Sequence, residues 1–550
     1  MGFFTLFNKG LREPTKNGKK IVLTASRAEM ATFGNSNMRA MMCTFPYAIV
    51  KPFLYNYIKP ESKEDGSAKY APYGLRKIES LLMDEFGEDN VVVAHPDNLE
   101  LFVGDKTELI GVSTMDPLGL AYVSTTYNSL ISFGGESVNK IEFLRLFNHP
   151  ALRRSKAKKI VGGFGVWQIR DSKMQDKLGI DLLIAGECDL ELIPIIKRLL
   201  RGEKLPKYIR TKKVYDYEKI PLIKNAASFG TVEIMRGCGR RCQFCSPDYR
   251  TKYDFPIEHI MKEVEVNLSS GNDMVFLVSE DVLLYGTDAR NFFYPNREKI
   301  AQLLKAIAKH EKVKRIGISH ASLAPVVADK QLLKEITPII IEKSFYRKNG
   351  TPYIGIDVGI ESGSVRIMKR YMNGKALPFP IESWPELVVE GTGIMNDNFW
   401  YPMYTFIVGL PGEKDEDVIA TLELLDRIKD CKVFYVPLLF IPLEEAILKN
   451  KKRATLNNLT PLQWEFIMEC WKRNLSFWAE NIKPIVQMLS FIMYGIYLKR
   501  VHGRNSFYSI MNFVGLSNFV SRKSSCDYSY CFPNHKPSSS DLYLTKLNTS

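Results

Sequence analysis

Three cysteines fall within eight residues, Cys238-x-x-x-Cys242-x-x-Cys245, just past a short apolar run (Thr231–Met235) and a glycine turn. This spacing, directly after a strand, sets what the surrounding chain has to build. Four thiolates saturate a cubane iron–sulfur cluster, whereas three leave one iron open. An open iron takes a small-molecule ligand, as a catalytic metal site must. A zinc knuckle and three structural thiols are the alternatives. Zinc normally takes four closed ligands, and no further Cys or His follows until His259.

The pattern on either side is α/β. From 230 to about 445, six strand-like runs (Val232–Met235, Met274–Val278, Arg315–Ser319, Tyr353–Val358, Tyr404–Val408, Val433–Phe440) alternate with helical ones. The helical runs are Ile257–Ser269, Arg297–Lys309, Lys330–Ile341, Ser364–Tyr371 and Glu416–Asp430. Six β/α units predict an open barrel with its chemistry at the carboxyl ends of the strands. Ahead of it, strands at Ile21–Thr24, Val91–Ala94, Leu109–Ser113, Lys159–Val161 and Asp181–Ala185 predict a doubly wound parallel sheet over 18–200. Ligands of such sheets bind at the strands' carboxyl ends, here Ser113–Gly119, Gly162-Gly163 and Gly186-Glu187. Residues 201–228 are basic, polar and proline-punctuated and read as a linker. The barrel domain is expected over 229–450, a helical domain over 451–520 and a mobile Ser-rich tail over 521–550.

The cysteine spacing after a strand, with Arg236-Gly237 ahead and Phe244 before the last thiol, resembles the radical S-adenosylmethionine (SAM) superfamily. In that family the open iron of a [4Fe–4S] cluster is chelated by SAM, and one electron cleaves SAM to methionine and a 5′-deoxyadenosyl radical. The resemblance implies that Cys238, Cys242 and Cys245 hold the cluster and that a ferredoxin- or flavodoxin-type donor supplies the electron. It also implies a partial (β/α)6 barrel. Further segments match in order. Ser279-Glu280-Asp281 stands where the family has Gly-Gly-Glu, which makes Glu280 and Asp281 the candidates for the methionine amino group. Gly359–Ser364 (GIESGS) resembles the segment that approaches the ribose and carboxylate, giving Glu361, Ser362 and Ser364. Gly409-Leu410-Pro411-Gly412-Glu413 resembles the segment near the adenine, giving Gly409 and Leu410, with Phe244 packed close by.

The first domain looks like the cobalamin-binding domain found in front of many radical SAM domains. It lacks that domain's Asp-x-His-x-x-Gly, since His95 and His149 are each followed by Pro, and Gly186-Glu187-Cys188-Asp189 replaces Gly-Glu-Gly-Glu. Three readings follow: cobalamin bound without a protein His, a fold that has lost its cofactor, or a domain turned to substrate or partner binding. His95 and His149 read as packing residues.

Nine cysteines in 550 residues are too few and too scattered for a secreted disulfide framework. An oxygen-sensitive cluster needs a reducing compartment, so a cytoplasmic location is expected. The N-terminus, with an apolar patch before its basic residues, reverses the order of a signal peptide. Cys43, Cys188, Cys431 and Cys470 are isolated and read as structural; Cys526 and Cys531 lie with His535 in the tail. The net charge is +14, and its clusters suit a solvated surface, nucleic acid or anionic lipid. The apolar run Ile485–Leu498, ending in Lys499-Arg500, is too short to span a bilayer. It reads as a core helix or as an interfacial segment, which would make the protein peripheral at a membrane.

No acid–base pair identifies a substrate. The layout is similar to archaeal radical SAM proteins, with the synthases that build cyclopentane rings into tetraether lipids as the nearest resemblance. A cobalamin-dependent radical methyltransferase is the second reading and tRNA modification the third. Nucleic acid is otherwise not an expected partner.

Overall fold

The computed structural model describes residues 18–54, 56–131, 135–246, 252–288, 292–478 and 484–513. Strands β1 (Ile21–Ala25), β2 (Val91–Val93), β3 (Leu109–Ser113), β4 (Lys158–Gly162), β5 (Leu182–Ala185) and β6 (Tyr208–Arg210) form one parallel sheet in the order β2-β1-β3-β4-β5-β6. Strands β1, β2, β3 and β5 are near-continuous apolar runs because both faces are covered. Val22, Ile110, Val112, Val161 and Leu183 point to one core, under the helix Val138–Phe147. Ile21, Leu23, Leu109, Ile160 and Leu182 point to the other, under the helices Tyr73–Phe86 and Leu192–Leu200. The expected linker 201–228 is corrected here: it contributes β6, with Leu183 opposite Tyr208. Lys and Arg residues hid this short edge strand, a role in which charge is tolerated.

The second domain begins with β7 (Thr231–Glu233), followed by a small antiparallel pair, β8 (Met235–Arg236) and β9 (Tyr253–Asp254), that frames the cysteine loop. Then come β10 (Met274–Val278), β11 (Arg315–Ile318), β12 (His320–Ala321), β13 (Tyr346–Lys348), β14 (Thr351–Glu361), β15 (Trp400–Val408) and β16 (Phe434–Leu439). Parallel pairings run β7-β10-β11 and β12-β14-β15-β16, with β13 antiparallel on β14. The expected third barrel strand is thus broken at Ser319, whose hydroxyl bonds the backbone of Ser279 on both its N–H and C=O. Allowing for that break, the six β/α units are present. The helix Trp384–Asp397 between β14 and β15 was not expected from the pattern. Gly391, Gly393 and its opening Trp-Pro weaken its signal, but Trp384 and Val388 are fully buried and tertiary packing carries it.

Alternation along β14 sorts the barrel's two faces. Ile354, Ile356, Val358 and Ile360 are buried against the helices, while Tyr353, Gly355, Asp357 and Gly359 face the lumen. The amino-terminal end of the lumen is plugged by aromatics. Tyr353 stacks on Tyr346 (5.5 Å) and Tyr401 (4.7 Å), and Trp478 closes on Tyr353 (6.0 Å). Trp478 ends the helix Pro461–Trp478 and donates its indole N–H to the Val433 carbonyl (3.1 Å). The C-terminal region is helical, as expected, with Pro484–His502 and Arg504–Phe513 following. In Pro484–His502, Leu498 is buried but Met493, Ile496 and Val501 are exposed. No helix among the described residues is long and apolar enough to cross a membrane. The tail with Cys526, Cys531 and His535 lies outside the described residues.

The two domains meet at the carboxyl ends of their strands. Thr126, on the helix Tyr122–Leu130, accepts from the Leu439 N–H at the end of β16 (2.9 Å). Tyr208 donates to Glu444 (2.8 Å), and Arg210 pairs with Glu445, which also accepts from Ser246, the residue after the last cysteine (2.7 Å).

Candidate metal centre and cofactor site

The cysteine loop hangs between β8 and β9 and is fastened from below by Arg240. Its guanidinium donates to the carbonyls of Lys375 (2.9 Å) and Leu377 (2.9 Å) and to Ser322 Oγ (2.9 Å), and pairs with Asp281 (3.4 Å). Gly374 sits under the loop because any Cβ there would collide with the Arg240 carbonyl oxygen. Cys238, Cys242 and Cys245 are brought together. Burial pushes all three thiols up, Cys238 to about 11; the charges of Cys242 and Cys238 then raise Cys245 further, while Lys375 pulls Cys242 and Cys245 down.

This donor set fits an iron–sulfur cluster. The three sulfurs are soft ligands in mutual electrostatic contact, with the cations of Arg240 and Lys375 beside them. Among the described residues no three Cys, His, Asp or Glu side chains converge on one point as a single metal ion would require. A cubane instead takes each thiolate on a different iron. Phe244 is partly buried, packed against the barrel core.

The other expected residues fall into two groups. Glu280 and Glu361 present carboxylates at the site. Burial, then Glu233, pushes Glu280 up to about 7, against hydrogen bonds from its own N–H and that of Gly237; its Oε2 has no partner among the described residues. Glu361 sits on a bulge between β14 and β15 with φ of 66°, a conformation that costs a non-glycine residue of order 1 kcal/mol. The bulge turns its carboxylate onto Lys375 Nζ (2.6 Å). Burial works against the Lys375 charge, but Glu361 and Cys242 outweigh it and hold the ammonium protonated.

The second group is engaged in the scaffold. Asp281 accepts from the Ser322 hydroxyl and N–H (3.2 Å) as well as facing Arg240, so it fastens the cysteine loop. Ser364 caps the helix Val365–Tyr371 and donates to Asp417 (2.5 Å). Ser362 bonds Thr421 (3.3 Å) and the Ser364 N–H (3.1 Å), and its carbonyl accepts from Trp384 (3.0 Å). Gly409, at φ of 81°, gives its N–H to Glu413 (2.9 Å), and Leu410 is buried in the core. The sequence reading missed Lys375 and Arg240. A lone Lys after Asn-Gly carries no local signal; Arg240, inside the cysteine motif, could have been singled out.

At the carboxyl end of the first sheet, the expected ligand loops hold each other. Gly163, at φ of 105°, lies against the Thr114 carbonyl with no room for a Cβ. Glu187 and Asp189 both take Arg236 from the barrel (3.1 and 3.2 Å). His95 is pinned between the Pro60 carbonyl (3.1 Å) and the Asp97 N–H (3.1 Å), and His149 caps the helix Pro150–Arg154. This face therefore offers no imidazole to a cobalt ion from either residue. It does expose Met115, Phe164 and Leu190, which follow β3, β4 and β5. Cys43 and Cys470 are buried, and Cys188 and Cys431 partly so; all four are free.

Comparison with known proteins agrees with this geometry. Residues 232–425 match the family model of the radical SAM superfamily. The chain is 26% identical over 303 residues to the ribosomal protein uS12 methylthiotransferase RimO of Moorella thermoacetica, covering 54% of this chain and 61% of that protein. It is 26% identical over 348 residues to a tRNA-2-methylthio-N(6)-dimethylallyladenosine synthase of Petrotoga mobilis, covering 61% of this chain and 71% of the other. Among solved structures, the radical SAM methyltransferase TsrM of Kitasatospora setae, with tryptophan substrate and a SAM analogue, shares the fold at a TM-score of 0.51 and 14% identity, over 78% of this chain and 75% of that one. The strands, the cysteine loop and the family match coincide, and residues 232–425 of this chain are a radical SAM domain.

Proposed function

We propose that the chain is a radical SAM enzyme acting on an unactivated C–H bond of a substrate admitted to the barrel lumen. The observation that carries this reading is the set of three mutually coupled cysteines at the carboxyl end of the first barrel strand. Cys238, Cys242 and Cys245 would hold a [4Fe–4S] cluster. Phe244, Glu280 and Glu361 would face SAM, with Ser362, Ser364, Gly409 and Leu410 holding the strand ends in place behind them. Bound there, the pair supplies one-electron cleavage of SAM and a carbon-centred oxidant. The protein's own residues do the rest. Arg240 and Asp281 fix the loop, Lys375 and Glu361 keep a compensated charge pair under it, and the aromatic plug closes the far end of the lumen to water. Glu280 Oε2, a buried acceptor with no partner among the described residues, suits an ammonium donor.

For the substrate, two observations favour two readings. The exposed apolar residues of Pro484–His502, with Lys499 and Arg500 at its end, suit contact with lipid and keep cyclopentane ring formation in tetraether lipids as the first. The exposed Met115, Phe164 and Leu190 suit a flat apolar cofactor and favour a cobalamin-dependent methyltransferase as the second. Methylthiolation, the activity named for the relatives, is less supported: Cys43 and Cys188 are the only thiols before residue 230 and sit in separate packing clusters.

The test has two stages. Anaerobically reconstituted protein should bind iron and sulfide and release 5′-deoxyadenosine from SAM under reduction, and Cys238→Ala, Cys242→Ala or Cys245→Ala should each abolish both. Full activity in any variant would overturn the assignment. Expression in an archaeon with ringless tetraether lipids then separates the substrate readings by mass: loss of two hydrogens for ring formation, gain of a methyl for methyl transfer, no change for neither.

A further inference from the structure

We infer that the outer face of the cysteine loop is the docking surface for an acidic one-electron carrier protein of the ferredoxin or flavodoxin type. This inference rests on the radical SAM reading and names where its electron enters. In that reading SAM and substrate occupy the lumen, so the electron has to cross the loop from outside. The reduced carrier is oxidised by one electron and the cluster is reduced by one; no bond or proton moves.

Basic segments border the loop there. Gln243, between Cys242 and Phe244, donates its N–H to the Tyr371 carbonyl (2.8 Å) and its side-chain amide to the Arg370 carbonyl (3.1 Å). Its own carbonyl accepts from the Leu448 N–H (3.2 Å). Leu448 leads directly into Lys449-Asn450-Lys451-Lys452-Arg453. Arg241, Arg370, Lys449, Lys451, Lys452 and Arg453 are all exposed, and none of them pairs with a carboxylate among the described residues. Arg453 reaches the Thr125 hydroxyl (3.1 Å), and Arg370 lies over the Tyr371 ring (5.1 Å). The carboxylates earlier in the loop after β16, Glu444 and Glu445, are held by Arg170 and Arg210. This face therefore carries a positive surplus that complements an acidic partner.

The second observation is Ile447. It is 55% exposed, while Leu448 beside it is buried and bonded to the cysteine loop. A small apolar spot inside a charged rim is the make-up of a transient docking face. The charges steer the encounter, and the small apolar contact lets the partner leave after the electron has passed. A single-stranded nucleic acid would instead call for aromatic platforms under its bases, and the large exposed side chain of this patch is aliphatic.

The test is stopped-flow reduction of the anaerobically reconstituted full chain, followed at the cluster's visible absorbance. The reductants are flavodoxin hydroquinone, reduced [4Fe–4S] ferredoxin and photoreduced 5-deazariboflavin, a small uncharged control. Lys451→Glu together with Lys452→Glu should slow reduction by the carrier proteins about tenfold at low salt and flatten its salt dependence. Ile447→Ser should slow it about fivefold. Reduction by deazariboflavin should be unchanged in both variants. Carrier rates equal in parent and variants, or an equal slowing with deazariboflavin, would overturn the docking surface. So would loss of transfer-RNA binding in the charge variant at an unchanged carrier rate, which marks a nucleic-acid face. A parent chain reduced by deazariboflavin and by neither carrier would overturn this inference alone; one that deazariboflavin cannot reduce would overturn the radical SAM reading and this inference with it.

Discussion

The guanidinium of Arg236 lies 3.1 Å from Glu187, joining the barrel to the first domain one residue before the glycine turn of the cysteine loop. The same group holds Glu233 at 2.8 Å and Asp189 at 3.2 Å. The stretch expected to meet a ligand in the first domain, Gly186–Asp189, thus spends its carboxylates on positioning the metal loop of the second.

Replacing Arg236 with Met should therefore destabilise the protein by about 3 kcal/mol, because three largely buried carboxylates lose their shared counter-charge. Denaturant unfolding reads this directly. Glu187→Gln combined with Arg236→Met should cost less than the sum of the two single changes, the signature of a direct interaction. Additive costs would show that the clamp contributes nothing.

Glu413 predicts a pH dependence. Burial pushes its carboxyl from an ordinary 4.5 up to about 7, although the Gly409 N–H and Gln463 act to lower it. The folded state then binds more protons than the unfolded state between about pH 4.5 and 7, so stability falls as pH rises through that window. Glu413→Gln should leave stability unchanged near pH 4 and raise it by about 3 kcal/mol at pH 8. Unfolding midpoints at the two pH values check the sign; a larger gain at the acid end would refute it.

Much of this architecture was legible in the chain. Met274–Val278, Ile257–Ser269 and Arg297–Lys309 have the residue bounds that periodicity assigns them, because each is a full-length apolar or amphipathic run between clear breakers. What escaped notice depends on partners distant in sequence. Residues 208–210 form a strand only because β5 offers an edge. Trp384–Asp397 is a helix despite two glycines because its Trp384 fills the core. At the site, the cysteines announced themselves by spacing. The assignment of Asp281 and Ser364 to scaffold rather than cofactor rests on Arg240 and Asp417, 41 and 53 residues away.

The lumen floor gives a packing prediction. Gly317 on β11 has the Phe276 ring 2.5 Å and the Phe345 ring 2.8 Å from where a Cβ would stand. Gly317→Ala forces two packed rings apart and should cost about 1–3 kcal/mol. Phe276→Leu, which vacates the contested volume, should recover part of that loss in the double variant. Thermal unfolding of the two single variants and the double variant tests it.

Gly374 ties the barrel to the cluster loop without a side chain. A Cβ there would press on the Arg240 carbonyl oxygen, a backbone atom that cannot swing aside as a long side chain would. The loop would have to lift, and with it the guanidinium bonds of Arg240 to Lys375, Leu377 and Ser322. Gly374→Ala should therefore lower iron and sulfide bound per chain severalfold after reconstitution while the far-UV circular dichroism stays that of the parent. Gly350, with nothing within 4 Å of a Cβ but a φ of 82°, supplies the control: Gly350→Ala should cost about 1 kcal/mol of stability through backbone strain and leave iron loading untouched. Equal iron loading in the Gly374 variant and the parent would mean that the loop is held by its cysteines and their cluster alone, and that the platform beneath it is dispensable.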